Sequence, residues 1–218
     1  MTRSLSAENY AALQERRLVA RDFIWLIAKD RSDGSPVEDG AWSGVGTIAA
    51  AVIDPKTGGS QTRTFYGAGG LISVSDIPLV QGITVQTITV RLSQLNARVN
   101  DFVRTYELKQ AEIQIFRGLF DPDTRQLVAP AVPRFSGFVD SAPILTPAEG
   151  GEAAVSITCT SNTQELTRSN SDTCSDASQR LRSATDNFFQ DVAVVGDWQF
   201  FWGKTSGVAP TSNGTKAG

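Results

Sequence analysis

The sequence contains no histidine among its 218 residues. Histidine is the most common general base, a frequent metal ligand and the side chain that titrates near neutral pH. Its absence excludes catalysis by Ser-His-Asp and Cys-His groups. A hydrolase that works with two facing carboxylates needs no imidazole, so this class stays open as one hypothesis, although no motif points to it. We therefore expect a protein that is not an enzyme.

Cysteine is scarce as well, since Cys159 and Cys174 are the only two in the chain. Two thiols cannot build a four-cysteine zinc or iron–sulfur site within one chain. Two reduced thiols of a protein made in the cytoplasm are the simplest interpretation. We predict no metal and no cofactor.

Positive charge and long apolar runs are also lacking. The chain has 20 Lys and Arg against 23 Asp and Glu, a net charge of -3, so nothing favours tight binding to nucleic acid. No run of about 18 apolar residues is present, which predicts no membrane insertion. Residues 1–17 are polar and charged and lack the apolar region of a secretory signal.

The patterns that are present indicate mostly strands. Residues 21–30 form a short apolar run with Phe, Ile and Trp, which is typical of a buried strand. The Asp54–Pro55 pair, followed by Gly58–Gly59, predicts a hairpin turn, and Asp121–Pro122 predicts another. Residues 152–161 alternate between apolar and polar side chains, which predicts a strand that pairs with residues 134–145.

Two helices are predicted from apolar residues at helical spacing. The first follows Ser6 and carries Tyr10, Leu13 and Arg17. The second covers residues 93–106 and carries Leu95, Val99, Phe102 and Tyr106 on one face. Residues 205–218 look disordered because they are almost entirely Ser, Thr, Gly, Ala and Lys. The sequence thus predicts a mainly β fold with one or two flanking helices and a C-terminal arm.

Residues 191–204, DVAVVGDWQFFWGK, hold two of the four Trp and two of the eleven Phe of the chain. One interpretation is a last core strand, with alternate aromatic residues facing inward. The other is a docking segment, because aromatic residues are enriched at the centres of interfaces. Both can hold for different residues of one strand. The predicted interface residues are Val194, Trp198, Phe200, Phe201 and Trp202.

Three further motifs favour structure over chemistry. The segment YGAGG at residues 66–70 lacks the order of a phosphate-binding loop, so glycines at the end of a strand account for it. Asp121 and Asp123 lack the further ligands of a calcium loop, so a hairpin turn accounts for them. Arg180 and Arg182 could face an acidic ligand, but a solvated surface turn is the simpler interpretation.

Four segments of the second half carry a family resemblance: YELKQAEIQIFRGLFDPDTRQLV, RFSGFVDSAPI, AAVSITCTSNTQELTR and SDASQRLRSATDNFFQDVAVVGDWQFFWGK. Over residues 82–204 this series resembles the tail hub proteins of long-tailed bacteriophages and of gene transfer agents, and is similar to the minor tail protein L type of lambda-like phages. The resemblance implies a β-sandwich or split barrel like that of tail-tube subunits, with a helix on its flank.

The resemblance also implies an assembly. The expected state is a homo-oligomer, a trimeric ring in the tail tip of the virion, assembled in the host cytoplasm. Its expected partners are the distal tail protein, the tip or central-fibre protein and the tape-measure protein, while DNA only passes through the lumen. The implied domains are a hub domain at residues 1–170, an arm at 171–204 and the tail at 205–218.

One departure from the family concerns cysteine. The resemblance implies an iron–sulfur cluster held by a C-terminal domain in lambda-type relatives, but Cys159 and Cys174 are too few for it. We expect packing by the aromatic arm to replace that clasp. An alternative to the hub is a carbohydrate-binding or adhesin-like β-module, for which Trp42, Trp198 and Trp202 are the candidate sugar platforms.

Overall fold

The computed structural model describes residues 5–67, 69–78, 80, 84–145, 148–149, 153–169 and 172–197. The chain divides into two compact units, Met1–Thr167 and Arg168–Gly218, called here the N-terminal and the C-terminal unit. The predicted tail at residues 205–218 lies outside the described residues. In the described part, no helix has the length and apolar character that a membrane crossing requires.

The described part of the N-terminal unit is mainly β, which confirms the predicted fold class. Its strands are β1 (Val19–Asp30), β2 (Pro36–Trp42), β3 (Thr47–Ile53), β4 (Ser60–Tyr66), β5 (Leu71–Val74), β6 (Thr87–Ser93), β7 (Tyr106–Phe120), β8 (Val132–Ser141), β9 (Ile144–Leu145) and β10 (Ala154–Ser161). Its helices are α1 (Ala7–Glu15), α2 (Ala97–Thr105) and a 3-10 helix, Asn162–Leu166.

The strands form one sheet in the order β3-β4-β2-β1-β7-β8-β10-β6-β5, with β9 beside β10. Neighbours are antiparallel except β2 and β4, which meet in parallel at Ala41 and Tyr66. The sheet curls until β3 reaches Ala131, which precedes β8. The Ala131 N–H donates to the Ala51 carbonyl at 2.8 Å, and the Ile53 N–H donates to the Ala131 carbonyl at 3.0 Å. These bonds close six strands into a small barrel, β3-β4-β2-β1-β7-β8.

Strand β1 carries a continuous apolar run because both of its faces are covered. Phe23 and Trp25 point into the barrel, where they contact Phe65 and Phe116 and other apolar residues of the barrel strands. The alternate residues Ile24 and Leu26 enter a second core on the opposite face of the sheet. A strand that is buried on both sides shows no alternation, as in the predicted strand over residues 21–30.

Helix α2 covers the second core and is shorter than predicted. Asn96 caps its first turn by accepting a hydrogen bond from the Val99 N–H at 3.4 Å. Val99, Phe102 and Val103 are buried. Leu95, which the sequence pattern places on the apolar face, precedes the cap and is exposed. Tyr106, also predicted on that face, is the first residue of β7. Val103, which the sequence pattern leaves off that face, is buried instead.

The predicted hairpins are confirmed. Strands β3 and β4 pair across the turn at Asp54–Pro55, and β7 and β8 follow each other across the turn at Asp121–Pro122. Strand β10 pairs with β8 and β9 on one side and with β6 on the other. Ile157 and Cys159 are buried as the alternation predicts.

The C-terminal unit contains the helix α3 (Asp176–Arg182) and a 3-10 turn, Val195–Asp197. The interpretation of Arg180 and Arg182 as part of a surface turn is wrong, because they form the last turn of α3. The hydroxyl of Ser175 caps that helix by accepting a hydrogen bond from the Ser178 N–H at 3.3 Å.

Candidate interaction surfaces

Of the predicted interface residues, the structure describes one and leaves four outside its described ranges. Val194 is described: its N–H donates to the Asp191 carbonyl at 3.0 Å within a turn, and its side chain is exposed. Trp198, Phe200, Phe201 and Trp202 lie outside the described residues. Their role in an interface therefore stays a prediction.

The described part of the C-terminal unit exposes its apolar side chains. None of the described side chains of residues 172–196 is buried. Five large apolar side chains are exposed: Leu181 at 89%, Phe188 at 80%, Val192 at 43%, Val194 at 44% and Val195 at 40%. Isolated exposed apolar residues are normal on protein surfaces, but a run of five within fifteen residues marks a surface suited to contact with another molecule.

Polar contacts order this segment instead of a core. Arg180 pairs with Asp176 at 2.8 Å, and also donates to the side-chain oxygen of Asn187 at 2.8 Å. Gln179 donates to Asp186, and this bond, with a second from the Phe188 N–H, holds the pKa of the Asp186 carboxyl below its usual value.

The cations of α3 are therefore already engaged. Arg182 forms an ion pair with Asp172. With Arg180 also paired, both arginines that the sequence analysis considered for an acidic ligand are held within their own segment.

A pocket of about 320 Å³ lies between α1 and the outer surface of β1, β7 and β8. Its lining residues are Leu5, Asn9, Leu13, Leu18, Ala20, Arg117, Leu119, Val132 and Arg134. Most of these are apolar, two are cations and none is an anion.

Asn9 is the unusual residue of that pocket. It is 2% exposed, and its side-chain oxygen Oδ1 accepts no hydrogen bond from the described residues. The helical spacing of Tyr10, Leu13 and Arg17 does not indicate a role for Asn9. Those three are exposed, while Asn9 faces the sheet. A single amide in a helix of mixed character gives no periodic signal that could have identified it.

Strand β5 forms one edge of the sheet. Among the described strands it pairs with β6 alone, and Ile72 on it is exposed. Edge strands carry unpaired backbone N–H and C=O groups that can extend a sheet into a neighbouring molecule. This edge is a second surface suited to association.

Trp42 is not a sugar platform, and that candidate from the sequence analysis is wrong. Its ring stacks on Phe23 at a centroid distance of 5.7 Å inside the barrel, and its Nε1–H donates to the Gly46 carbonyl at 2.8 Å. Trp25 is buried in the same core. The described tryptophans are core residues.

The carboxylates of the second Asp–Pro turn form hydrogen bonds and an ion pair that hold the turn in place. Asp121 accepts hydrogen bonds from the Asp123 N–H and the Thr124 hydroxyl, both at 2.9 Å, and these bonds lower the pKa of its carboxyl. Asp123 pairs with Arg17 at 3.0 Å. Within the described ranges, no group of three or more His, Cys, Asp or Glu residues could hold a metal ion.

These features define a mainly β protein with a partly closed sheet, an apolar pocket beside α1 and a C-terminal segment that exposes its apolar residues. No protein-family model matches the chain, and no curated protein matches it. Among solved structures, it is similar to a chain in the virion of a native gene transfer agent particle, with 15% sequence identity and a TM-score of 0.49. The match covers 78% of this chain and 49% of that chain, so this protein spans about half the length of the chain it matches.

Proposed function

We propose that this protein is a non-enzymatic structural subunit of a phage-type tail tip, of the tail hub kind. In this role it associates with copies of itself into a ring, with a trimer as the expected state. The ring joins the distal tail protein to the tip or central-fibre protein, near the end of the tape-measure protein, and DNA passes through its lumen. The four segments that resemble tail hub proteins are the basis in sequence.

The observation that carries the proposal is the exposed apolar surface of the C-terminal unit. Leu181 and Phe188 are almost fully exposed, and no described side chain around them is buried. Leaving such side chains in water forgoes about 1.5–3 kcal/mol each relative to burial. A subunit that meets neighbours on this surface recovers that free energy on assembly.

The charge of the chain is compatible with a channel. A net charge of -3 gives no general attraction to the phosphate backbone, so DNA can slide through a ring without being retained. The open edge at β5 offers a second contact by which copies can join.

The test is the mass of the full chain in solution, measured by light scattering over a range of concentrations, with negative-stain images of the particles. A trimer of the 23.4 kDa chain has three times that mass, about 70 kDa, and shows a central opening. A chain that ends at Gln190 lacks the aromatic residues of positions 191–204. It should stay monomeric, while the midpoint of its thermal unfolding should be unchanged. Stable rings of that shortened chain would contradict the role of the segment.

A chain that is monomeric at every concentration would overturn the proposal. Addition of purified tail-tip proteins provides the second arm, since a hub should co-migrate with them. A change in tryptophan fluorescence on adding glycans to a monomer would instead favour the carbohydrate-binding alternative.

A further inference from the structure

The edge of β2 that faces away from β1 is open over part of its length. Strand β2 pairs with β1 from Pro36 to Trp42, but it meets β4 only at Ala41. No described strand therefore pairs with residues 36–39 on that side. An open strand edge can accept a further strand through its backbone groups.

Backbone geometry places the N–H and C=O of Glu38 on this open edge. The Asp30 N–H donates to the Ser35 carbonyl at 2.9 Å. At the other end of the pair, the Ser43 N–H donates to the Asp22 carbonyl at 3.0 Å. Backbone bonds of an antiparallel pair recur at every second residue, so the odd-numbered residues of β2 between these two bonds face β1. Glu38 stands at an even position, so both of its backbone groups face the open edge.

A groove of about 440 Å³ lies between this edge and α2. Its lining residues are Val37, Glu38, Asp39, Arg98, Asp101, Phe102 and Tyr106. The ring centroids of Phe102 and Tyr106 lie 5.2 Å apart, so the helix gives the groove an aromatic wall. A strand that pairs with Glu38 would have part of its side chains against this wall.

The arginines of α2 beside the groove have partners within the described residues. The Arg98 guanidinium pairs with Asp39 at 2.6 Å and lies 3.5 Å from the ring centroid of Tyr66. Arg104 donates to the side-chain oxygen of Asn100 at 2.7 Å. Asp39 and Arg98 therefore neutralise each other at the edge of the groove.

Two carboxylates at this edge have no ion pair with any described residue, those of Glu38 and Asp101. Both side chains are exposed. The groove and its edge thus carry an excess of negative charge, which favours a cationic partner.

These two carboxylates lie on opposite faces of the open edge. Asp39 bonds to Arg98 of α2, so the odd-numbered side chains of β2 face the helix and Glu38 projects to the other face. In an added strand, the residue opposite Glu38 projects beside the Glu38 carboxylate, and the next residue projects toward α2 and Asp101. Two consecutive cationic residues would therefore pair with both carboxylates, and the apolar stem of one can lie against Tyr106.

We propose that the groove between β2 and α2 binds an extended segment of a partner protein that carries two consecutive cationic residues. The segment adds to the open edge of β2 as a strand and exchanges two backbone hydrogen bonds with Glu38. Its cationic side chains pair with the carboxylates of Glu38 and Asp101. The inference goes beyond the proposed ring, because it concerns the N-terminal unit and a partner of opposite charge.

The test titrates the full chain with the peptide acetyl-Thr-Val-Lys-Lys-Val-Thr-amide and measures the dissociation constant by calorimetry. Asp101→Asn and Glu38→Gln should each weaken binding roughly threefold, the effect of one exposed ion pair, and the double variant roughly tenfold. Both side chains are exposed, so the midpoint of thermal unfolding should be unchanged.

Asp140→Asn is the matched control for charge. Asp140 is exposed on β8 and forms no ion pair with a described residue. This variant changes the net charge as much as Asp101→Asn does, but it should leave the dissociation constant unchanged.

A second peptide separates strand addition from attraction between charges. Methylation of the backbone nitrogens of both lysines keeps the two charges but removes a donor from each edge of the peptide. This peptide should bind at least tenfold more weakly, because it loses a hydrogen bond to the Glu38 carbonyl and its methyl group prevents close approach to the strand.

Charge reversal provides an expected gain of binding. The double variant Glu38→Lys with Asp101→Lys should bind acetyl-Thr-Val-Glu-Glu-Val-Thr-amide about as tightly as the unchanged chain binds the lysine peptide. It should bind the lysine peptide at least tenfold more weakly than the unchanged chain does, because like charges then face each other.

The outcomes distinguish this inference from the proposed function. An unchanged chain that does not bind the lysine peptide in the millimolar range overturns the inference. Equal weakening by Asp101→Asn, Glu38→Gln and Asp140→Asn overturns the assignment to the groove, and undiminished binding of the methylated peptide overturns strand addition. None of these results depends on the mass of the chain in solution, which tests the proposed ring separately.

Discussion

The guanidinium of Arg63 donates a hydrogen bond of 2.8 Å to the side-chain oxygen of Gln114, across the barrel from β4 to β7. The same guanidinium lies 5.0 Å from the ring centroid of Trp25. Gln114 is buried and donates in turn to Glu112 at 2.7 Å, and Glu112 pairs with Lys56 at 2.6 Å. This series of hydrogen bonds and ion pairs connects the β3–β4 hairpin to β7 at the centre of the sheet.

Gln114→Leu should lower the free energy of unfolding by about 2 kcal/mol. The change leaves Nη1 of the partly buried Arg63 without its acceptor, and an unsatisfied charged donor is more costly than a lost neutral hydrogen bond. Urea unfolding measures the difference.

Two variants control that measurement. Gln61 is exposed, but it accepts a second bond from Arg63 at 3.1 Å and donates to the carboxylate of buried Asp54 at 3.1 Å, so Gln61→Leu should cost about 1 kcal/mol, less than Gln114→Leu. Replacing both partners, Arg63→Met with Gln114→Leu, should recover a large part of the loss, since no guanidinium is then left without its acceptor. A double variant that loses as much as the sum of the single variants would contradict the coupling.

The two Asp–Pro hairpins fold alike but differ at one backbone position. In each, the fifth residue donates to the Asp carbonyl at 2.8 Å and adopts a positive φ. That residue is Gly58, with φ 71°, in the first hairpin, and Arg125, with φ 58°, in the second. A side chain in this region costs about 1–2 kcal/mol, and glycine avoids the cost.

Arg125→Gly removes the cost of a side chain at positive φ but adds the greater conformational entropy of glycine in the unfolded chain. The net effect should be a rise of about 0.5 kcal/mol in the free energy of unfolding. The reciprocal variant, Gly58→Ala, should lower it by about 1 kcal/mol. A Cβ added at Gly58 would contact no other atom within 4 Å, so this loss reports on the backbone alone. Equal changes of one sign in both variants would contradict the explanation.

These hairpins could be predicted because the residues that determine each turn are close together in the sequence. The carboxyl of Asp54 accepts from the Lys56 N–H at 2.8 Å, and that of Asp121 accepts from the Asp123 N–H at 2.9 Å. Asp, Pro and the residue with positive φ all lie within five positions. The strand over residues 21–30 could be predicted because burial on both faces leaves an unbroken apolar run.

The closure of the barrel and the pocket could not be predicted from the sequence. The bridge between Val52 and Ala131 joins positions far apart in the chain, and both residues are small and ordinary. Asn9 is buried only because α1 lies with that side toward the sheet, a choice that depends on tertiary contacts. The predicted interface of Trp198 and its neighbours stays a prediction, apart from the exposure of Val194.

The two cysteines should differ sharply in reactivity. Both are free thiols, with Cys159 buried and Cys174 exposed. Burial raises the pKa of the Cys159 thiol from 9.0 to about 12, so it carries almost no thiolate near neutral pH. Ellman's reagent at pH 8 should therefore titrate one thiol in the native protein and two after denaturation. In the control variant Cys174→Ser, the native count should fall to zero.

The same burial makes stability depend on alkaline pH. The Cys159 thiol titrates near 9.0 when unfolded and near 12 when folded, so its stabilising effect is complete below pH 9 and decreases as pH rises toward 12. Between pH 8 and pH 10 the folded chain should lose about 1 kcal/mol that the variant Cys159→Val does not lose. Urea unfolding at both pH values measures the difference between the two proteins, and an identical loss in both would contradict the assignment.

The exposed apolar residues of the C-terminal unit should matter for assembly and not for folding. Leu181→Ser and Phe188→Ser remove side chains that are mostly in water, so the free energy of unfolding should change by less than about 0.5 kcal/mol. Burial of either side chain against a neighbour contributes about 1.5–3 kcal/mol, so its loss should weaken self-association at least tenfold.

Leu95 provides the matched control for both variants. It is as exposed as Leu181, at 88%, but lies in the N-terminal unit just before α2. Leu95→Ser changes the overall hydrophobicity of the surface as much as Leu181→Ser does. Nonspecific hydrophobic association between copies would therefore weaken equally in Leu95→Ser and Leu181→Ser. A specific contact through the C-terminal unit would weaken only in Leu181→Ser and Phe188→Ser. Sedimentation equilibrium on the three full-length variants separates the two explanations, because nonspecific attraction depends on the amount of apolar surface and a specific contact depends on its position.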